Sequence, residues 1–221
     1  MVRWSVGDHT FVCYPNRPWL NDTEGVRPTL SSFEEIQTEF LEAIHALDRE
    51  TRIVYEELVL PGWGSPDRHG YPRTLYGFVM NVMSLVDRLS CYRDGEAGND
   101  QTKRMRGLLI EAGYSSESAA VCVQLWRHTL MHTGLPATVT ESKTGVAYRW
   151  LLHWADHLPR EQHMTLSDIG PDERVLNVGA LYLVKDLASV ATDLFLRTRD
   201  DPRGRGLLEK VHREIANRQR F

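Results

Sequence analysis

The stretch LWRHTLMHTG, residues 125–134, places one arginine and two histidines in a segment that otherwise has the pattern of a buried helix. These side chains are Arg127, His128 and His132. The two histidines are four residues apart, so both imidazoles would project from neighbouring positions on one side of a helix. Burying three such groups without partners is costly, and we therefore expect them to face solvent or to meet an anion.

The spacing of arginine and histidine in this stretch is not specific by itself. An arginine followed by a histidine after four to six intervening residues occurs three times in the chain, about as often as random placement of this composition gives. The pairs are Arg3 and His9, Arg127 and His132, and Arg205 and His212. Only Arg127 and His132 lie on a predicted helix with a capping residue and an apolar face, so the context favours this pair.

The bulk composition is that of an ordinary globular chain. Of the 221 residues, 42% are hydrophobic and 25% are charged, and the formal net charge of −4 gives no general attraction to polyanions. Contact with nucleic acid would need a local basic surface, for which the C-terminal segment 203–221 is a candidate. The alternative for that segment is a solvated terminal helix of mixed charge.

Cysteine usage and the absence of long apolar runs bear on the compartment. Cys13, Cys91 and Cys122 are far apart and form no CxxC pair, which favours reduced thiols over a disulfide framework or a thiolate metal site. The N-terminus lacks the apolar core of a signal peptide, and no apolar run approaches the ~18 residues that span a bilayer. We expect a soluble, cytoplasmic protein without membrane contact.

Helix signals recur along the chain from residue 31. Ser31 and Ser32 precede Glu34 and Glu35 by three residues each, which is the capping-box arrangement. Further helices are predicted over residues 73–92, over Val175–Arg199 and, with basic character, over 203–221. A shorter helix is predicted over residues 100–112, with Asp100 as its cap and Gly113 at its end. The helix that carries the motif is predicted to begin at Ser115 or Ser116 and to end at about Gly134.

Residues 137–169 differ in character from the rest. β-Branched and aromatic residues surround a Ser-Lys-Thr-Gly turn, which predicts a β-hairpin, and residues 163–169 are a candidate third strand. Residues 1–30 are predicted to be an N-terminal extension of irregular or short-strand structure. The sequence therefore predicts a single, mainly α-helical domain over residues 1–221: a bundle of four to five core helices with a small β-hairpin insertion before the last long helix.

The motif WRHTLMHTG, residues 126–134, resembles the signature helix of the HEPN superfamily. In that helix an arginine, a polar residue directly after it and a histidine after four intervening residues occur together, as here. A long helix ending in LVDRLSCY precedes the motif and a second one, Val175–Arg199, follows it, which is similar to the order of elements in the HEPN four-helix bundle. The resemblance covers roughly residues 31–200.

The resemblance implies a metal-independent endoribonuclease that needs no cofactor and pairs two motif helices across a twofold homodimer to form one composite cleft. His132 would be the general base or acid in attack of a ribose 2′-hydroxyl on the adjacent phosphodiester, since both protonation states of imidazole exist near neutrality. Arg127 would bind the phosphate. His128 would position Arg127 or the phosphate; family members often carry Asn or Asp at this place, so its role stays open. RNA would be the substrate, and a toxin or defence effector would also have an antitoxin or regulatory protein as partner.

Other interpretations remain open for the motif. Many HEPN domains lack nuclease activity, so the main alternative is a non-catalytic helical dimer that binds a partner protein or a nucleotide. His128 and His132 are also consistent with partly exposed helix residues or, by their spacing, with a pair of metal ligands. Thr129 stands where an HExxH motif needs glutamate, and no third ligand is evident nearby.

Asp87 is a candidate supporting residue in the helix that precedes the motif. If that helix packs beside Arg127, the carboxylate of Asp87 could orient the guanidinium through a bidentate pair. The alternative is an ordinary exposed ion pair that involves Asp87 and Arg88.

A second histidine cluster comprises His153, His157 and His163, with Asp156 between the first two. On a helix, His153, Asp156 and His157 could hold a metal ion. We expect His153 at the end of a strand and His157 in a loop, which favours a structural or surface role.

Overall fold

The computed structural model describes residues 2–6, 9–13, 32–59, 71–98, 100–127, 138–154 and 158–218. This part of the chain is mainly α-helical and contains a small four-stranded sheet. The chain separates into two units, residues 1–31 and residues 32–221.

The elements follow one another as two strands, four helices, four strands and two helices. The strands are β1 (Val2–Val6), β2 (His9–Cys13), β3 (Val139–Thr140), β4 (Ala147–His153), β5 (Thr165–Gly170) and β6 (Glu173–Gly179). The helices are α1 (Phe33–Val54), α2 (Tyr71–Asp94), α3 (Gln101–Glu111), α4 (Ser116–Leu125), α5 (Ala180–Arg199) and α6 (Pro202–Arg218). A π-helical turn, Tyr55–Val59, continues α1, and a short 3₁₀ turn, Arg160–Gln162, precedes β5.

In the first unit, β1 and β2 form an antiparallel pair. Its register runs from Val2 opposite Cys13 to Val6 opposite His9.

The helix ends confirm most of the predicted caps. The Ser32 side chain accepts a hydrogen bond from the Glu35 N–H while the Glu35 carboxylate accepts one from the Ser32 N–H, so the capping box of α1 is present. Ser115 caps α4 by accepting from the Ser118 N–H. The prediction for Asp100 is wrong: its backbone is left-handed (φ 56°) and its side chain makes no capping bond. A capping residue needs an extended backbone to direct its oxygen at the helix N–H groups, and Asp100 does not have one.

The core of the second unit lies where α5 packs against α1 and α2, with α3 packed against α2 and α4 packed against α3. Aromatic rings fill its centre. Phe195 of α5 contacts Phe33 and Phe40 of α1 at ring-centroid distances of 6.0 and 5.9 Å, and Phe40 lies 5.9 Å from Tyr92 of α2. The helices therefore meet through the apolar faces that their sequence spacing indicates.

The four-stranded sheet has the order β3-β4-β6-β5. β3 and β4 are antiparallel, β4 and β6 are parallel, and β6 and β5 are antiparallel. The sheet thus extends beyond the predicted hairpin region of residues 137–169, because β6 supplies one of its two central strands.

The predicted helix over Val175–Arg199 begins too early. Residues 175–179 belong to β6, and α5 starts at Ala180. Val175, Leu176 and Val178 are all buried. A short apolar run of this kind is compatible with a buried strand or with a buried helix segment, and here its pairing with strands on both sides decides for the strand.

Two glycines give a matched test of the backbone. Gly77 lies within α2, and a Cβ added there would meet no atom within 4 Å, so Gly77→Ala should stabilise the protein by about 0.5–1 kcal/mol. Gly95 follows α2 with φ +73°, and a Cβ there would collide with the Leu207 side chain. Gly95→Ala should therefore cost about 1–2 kcal/mol. Urea unfolding of both variants checks the opposite signs, and equal effects would contradict this description of the end of α2.

Candidate functional site

Arg127 is the catalytic candidate that the described structure contains. It lies two residues after the end of α4, is half-buried, and donates a hydrogen bond from Nη1 to the Thr102 hydroxyl of α3 at 2.6 Å. His128 and His132 lie outside the described residues. The guanidinium is thus held against the first turn of α3.

Asp87 of α2 has partners other than those predicted. Its Oδ2 accepts a hydrogen bond from the Gln101 side chain at 2.8 Å, and its Oδ1 lies 4.0 Å from Nη2 of Arg104. The bidentate pair with Arg127 is not formed, since Arg127 bonds to Thr102 instead. An ion pair with Arg88 is not formed either.

The Arg88 guanidinium is directed away from Asp87. It donates from Nε to the Tyr92 hydroxyl at 2.7 Å and from Nη2 to the Glu39 carboxylate at 2.9 Å. Tyr92 in turn lies 2.8 Å from Nδ1 of His212, and burial raises the pKa of Tyr92 to about 12. The charge of Arg88 is therefore compensated locally.

Burial dominates the ionisation of Asp87. It raises the pKa of this carboxyl group, against the hydrogen bond from Gln101 and the charges of Arg104 and Arg127, which act to lower the pKa. Asp87 consequently holds its negative charge less firmly than a solvated aspartate, although it lies near two guanidinium groups.

Arg104 of α3 is the least expected side chain of this region. Only 5% of the residue is exposed, and its Nε and Nη1 atoms, like the indole Nε1 of Trp126, are closed off from solvent without a hydrogen-bond partner in the described structure. The ion pair with Asp87 is long, at 4.0 Å. A guanidinium is rarely buried this deeply unless it is paired.

A groove of about 590 Å³ opens beside these groups. It lies between α2, α3 and α6, at the end of α4. Its polar and aromatic lining includes Asp87, Arg88, Gln101, Arg104 and Trp126. The volume is in the range of small-molecule sites, about 300–1,000 Å³.

The sequence predicted Asp87 and Arg127 as candidate site residues but did not predict Arg104 and its neighbours. A signal was present: Arg104 precedes Leu108 by four residues and Met105 directly, so it stands at the edge of the apolar face of α3. A charged residue in such a position is a candidate for a buried ionic contact.

The basic C-terminal segment is ion-paired in part where it is described. Arg205 binds Glu34 at 2.7 Å, and Lys210 lies 3.7 Å from Glu214. The Arg213 Nε donates to the Glu209 carbonyl at 3.3 Å. These contacts favour the interpretation of α6 as a helix of mixed charge over that of a basic nucleic-acid surface.

A second polar cluster connects the sheet to the helices. The His163 Nδ1 accepts from the Gly179 N–H at 3.0 Å, and its Nε2 lies 3.0 Å from the Tyr114 hydroxyl. Tyr114 donates to Asp186 of α5, and Arg160 binds the same carboxylate through both oxygens, at 2.9 and 2.6 Å. Each polar group of this cluster has a partner, as expected for a structural network.

The hydrogen bonds of the cluster define its protonation state. Nδ1 of His163 accepts a backbone N–H, so the proton of the neutral ring lies on Nε2. Burial lowers the pKa of His163, although the hydrogen bond and charge of Asp186 act to raise it. Burial also acts to raise the pKa of Asp186, but hydrogen bonds from His163, Arg160 and Tyr114 prevail and lower it to about 2.

The lowered pKa of His163 makes stability depend on pH near neutrality. The unfolded chain, with a histidine pKa near 6.5, takes up a proton before the folded protein does. The contribution of His163 is therefore fully present above about pH 6.5 and is lost as the pH falls. The unfolding free energy of the wild type should decrease between pH 7 and pH 5.

The same measurement on variants checks the assignment. His163→Asn should show a shallower decrease, while His45→Asn, at an exposed position of α1, should keep the wild-type slope. Some slope will remain in His163→Asn, because burial also lowers the pKa of His212. Identical slopes for all three proteins would contradict the role of His163.

The second predicted histidine cluster lies only partly within the described residues. His153 is the last residue of β4, as expected, whereas Asp156 and His157 lie outside the described residues. No group of three or more potential metal ligands is found in the described part of the chain, where Cys91 and Cys122 are buried. None of the described helices is long and apolar enough to cross a membrane.

Comparisons with protein-family models, with curated proteins and with solved structures find no match to this chain.

Proposed function

We propose that this protein is a metal-independent endoribonuclease of the HEPN type, with Arg127 and His132 as its catalytic residues. The observation that supports this most is the setting of Arg127. Its guanidinium is fixed to Thr102 at 2.6 Å and lies close enough to Asp87 to influence its pKa, so it is a preorganised cation rather than a freely moving surface side chain. The choice of reaction rests on the resemblance of the motif.

The reaction would be an internal transesterification. His132 removes the proton of a ribose 2′-hydroxyl, and the 2′-oxygen bonds to phosphorus while the bond to the 5′-oxygen breaks. A protonated imidazole, from His132 of a second copy or from His128, supplies the proton that the departing 5′-oxygen takes up. The products are a 2′,3′-cyclic phosphate and a 5′-hydroxyl end, so atoms and protons balance.

Arg127 would stabilise the charge that accumulates on the non-bridging phosphate oxygens. A guanidinium suits this task because it is always protonated and presents its N–H groups as a rigid fork. The bond to Thr102 uses one N–H group of Nη1 and reduces the entropy that is lost when the phosphate binds.

The proposal includes a homodimer. Two copies would place their motif helices together, so that each composite cleft receives residues from both chains. We propose RNA as the substrate and the cytoplasm as the place of action; in a toxin or defence effector, an antitoxin or regulatory protein would cover the cleft.

Cleavage of a mixture of single-stranded and structured RNA in EDTA tests the proposal. The purified protein should cut RNA in the chelator and leave cyclic phosphate ends, which mass spectrometry of the fragments detects. If the wild type leaves every RNA intact, the non-catalytic binding dimer replaces this proposal.

A further inference from the structure

The charges around the groove beside Arg104 do not balance. Arg88 is neutralised by Glu39, at 2.9 Å, and is further bonded to Tyr92. Among the described acidic groups, Asp87 is the one that pairs with Arg104, but its Oδ1 lies 4.0 Å from Nη2 of Arg104, and burial raises the pKa of Asp87. Arg104 is therefore a buried cation with an incomplete counter-charge.

The unpartnered atoms near the groove are mainly donors. Nε and Nη1 of Arg104 and Nε1 of Trp126 carry N–H groups, against a single acceptor, Oδ1 of Asp87. Both donor residues line the groove. An oxyanion would supply the acceptors and the negative charge that are lacking, and a hydroxyl group next to it could donate to Asp87.

Keeping an arginine at this position costs stability unless something compensates it. A buried charge without a full set of partners is destabilising, and an apolar or neutral side chain of similar size would avoid the cost. The groove is large enough for a ligand of nucleotide size. The arrangement is therefore the one expected of an anion-binding site.

We propose that this groove binds a phosphoryl group, with Arg104 as its counter-ion and the Trp126 indole N–H as a second donor. The phosphoryl group belongs either to a free mononucleotide or to the backbone of RNA. Because the unpartnered atoms are closed off from solvent, binding includes a rotation of the Arg104 side chain towards the groove. The site goes beyond the proposed nuclease, since it requires no cleavage and does not involve His132.

Calorimetric titration of the full chain with inorganic phosphate, AMP and adenosine tests the site. A short single-stranded RNA is titrated into the His132→Ala variant, so that the RNA is not cleaved during the titration. Arg104→Gln should weaken binding of the phosphorylated probes by about tenfold or more, the loss expected for one charge-assisted contact. Arg106→Gln removes the same charge from an exposed position of α3 and should bind like the wild type. Adenosine should bind at least about tenfold more weakly than AMP.

The two sources of the phosphoryl group give different results. If the natural ligand is a free nucleotide, AMP should bind through Arg104 and RNA should not. If the groove binds the RNA backbone, RNA should bind more tightly than AMP, and its affinity should depend on Arg104. The site is overturned if none of the phosphorylated probes binds, or if Arg104→Gln and Arg106→Gln behave alike. Failure of RNA cleavage leaves both results unaffected, so the two proposals are tested separately.

Thermal unfolding without ligand separates a binding role from a structural one. Because Nε and Nη1 of Arg104 lack hydrogen-bond partners and its ion pair with Asp87 is long, Arg104→Gln should leave Tm unchanged or raise it by about 2–4 °C. A residue retained for structure would behave in the opposite way. A fall in Tm of more than a few degrees would therefore overturn the proposal, whatever the binding data show.

Discussion

Replacing Arg127 or His132 with alanine is expected to lower the rate of RNA cleavage by about 10²- to 10⁴-fold for each variant. In the proposed reaction, His132→Ala removes the group that would take the 2′-hydroxyl proton. Arg127→Ala removes the cation that would bind the phosphate oxygens, a guanidinium that is bonded to Thr102. Initial rates on a labelled RNA in EDTA, measured over a range of protein concentrations, give the comparison.

Two further variants make this result specific. Arg199→Ala removes an exposed arginine at the end of α5 and should cleave RNA like the wild type. Arg127→Lys keeps the charge but loses the fork, and should recover only part of the rate. If Arg127→Ala retains more than about half of the wild-type rate, the assignment of this motif is wrong.

Replacing Asp186 with alanine is expected to destabilise the fold by about 3 kcal/mol. The side chain of Asp186 is 14% exposed and accepts hydrogen bonds from Tyr114 and Arg160. It also lies 3.4 Å from Nε2 of His163. Its loss leaves these donors without an acceptor at the junction of the sheet and α5. A decrease in Tm of about 6–12 °C should follow, since 1 kcal/mol corresponds to about 2–4 °C for a unit of this size.

The control for Asp186 is another aspartate that binds an arginine. Asp168 contacts Arg174 at 2.8 Å, but its side chain is 78% exposed, so Asp168→Ala should cost well under 1 kcal/mol. Equal decreases in Tm for the two variants would show that the cluster around Asp186 is no more important than a surface ion pair.

Acid should remove the contribution of Asp186. Its folded pKa of about 2 lies below the ordinary aspartate value of 3.8, so the folded state favours the ionised form. The contribution is present above about pH 4 and is lost as the pH falls towards 2. The stability difference between wild type and Asp186→Asn should shrink over this interval, and a constant difference would argue against the lowered pKa.

The sequence alone determined the local features of the fold. The capping box of Ser32 and Glu35, the cap at Ser115 and the apolar faces that pack α1 against α5 depend on residues within a turn or two of each other. Helix caps and amphipathic spacing act through such short-range contacts, so a single sequence is enough to predict them.

Only the tertiary structure decided between helix and strand for residues 175–179. Their apolar side chains suit either state, and the pairing of β6 with β4 and β5 selected the strand. Asp100 is a similar case. Aspartate is a common helix-capping residue, but the left-handed backbone of Asp100 keeps its side chain from making a capping hydrogen bond.

Both polar clusters also depend on the tertiary fold. Tyr114 and Asp186 are 72 positions apart in the chain, and the neighbours of Arg104 come from α2, α3 and the end of α4. Whether a charged side chain is buried, and what it then meets, depends on helices that pack from distant parts of the chain. The sequence could therefore identify Arg127 as a cation on a helix, but the burial of Arg104 beside the groove became visible only in the folded protein.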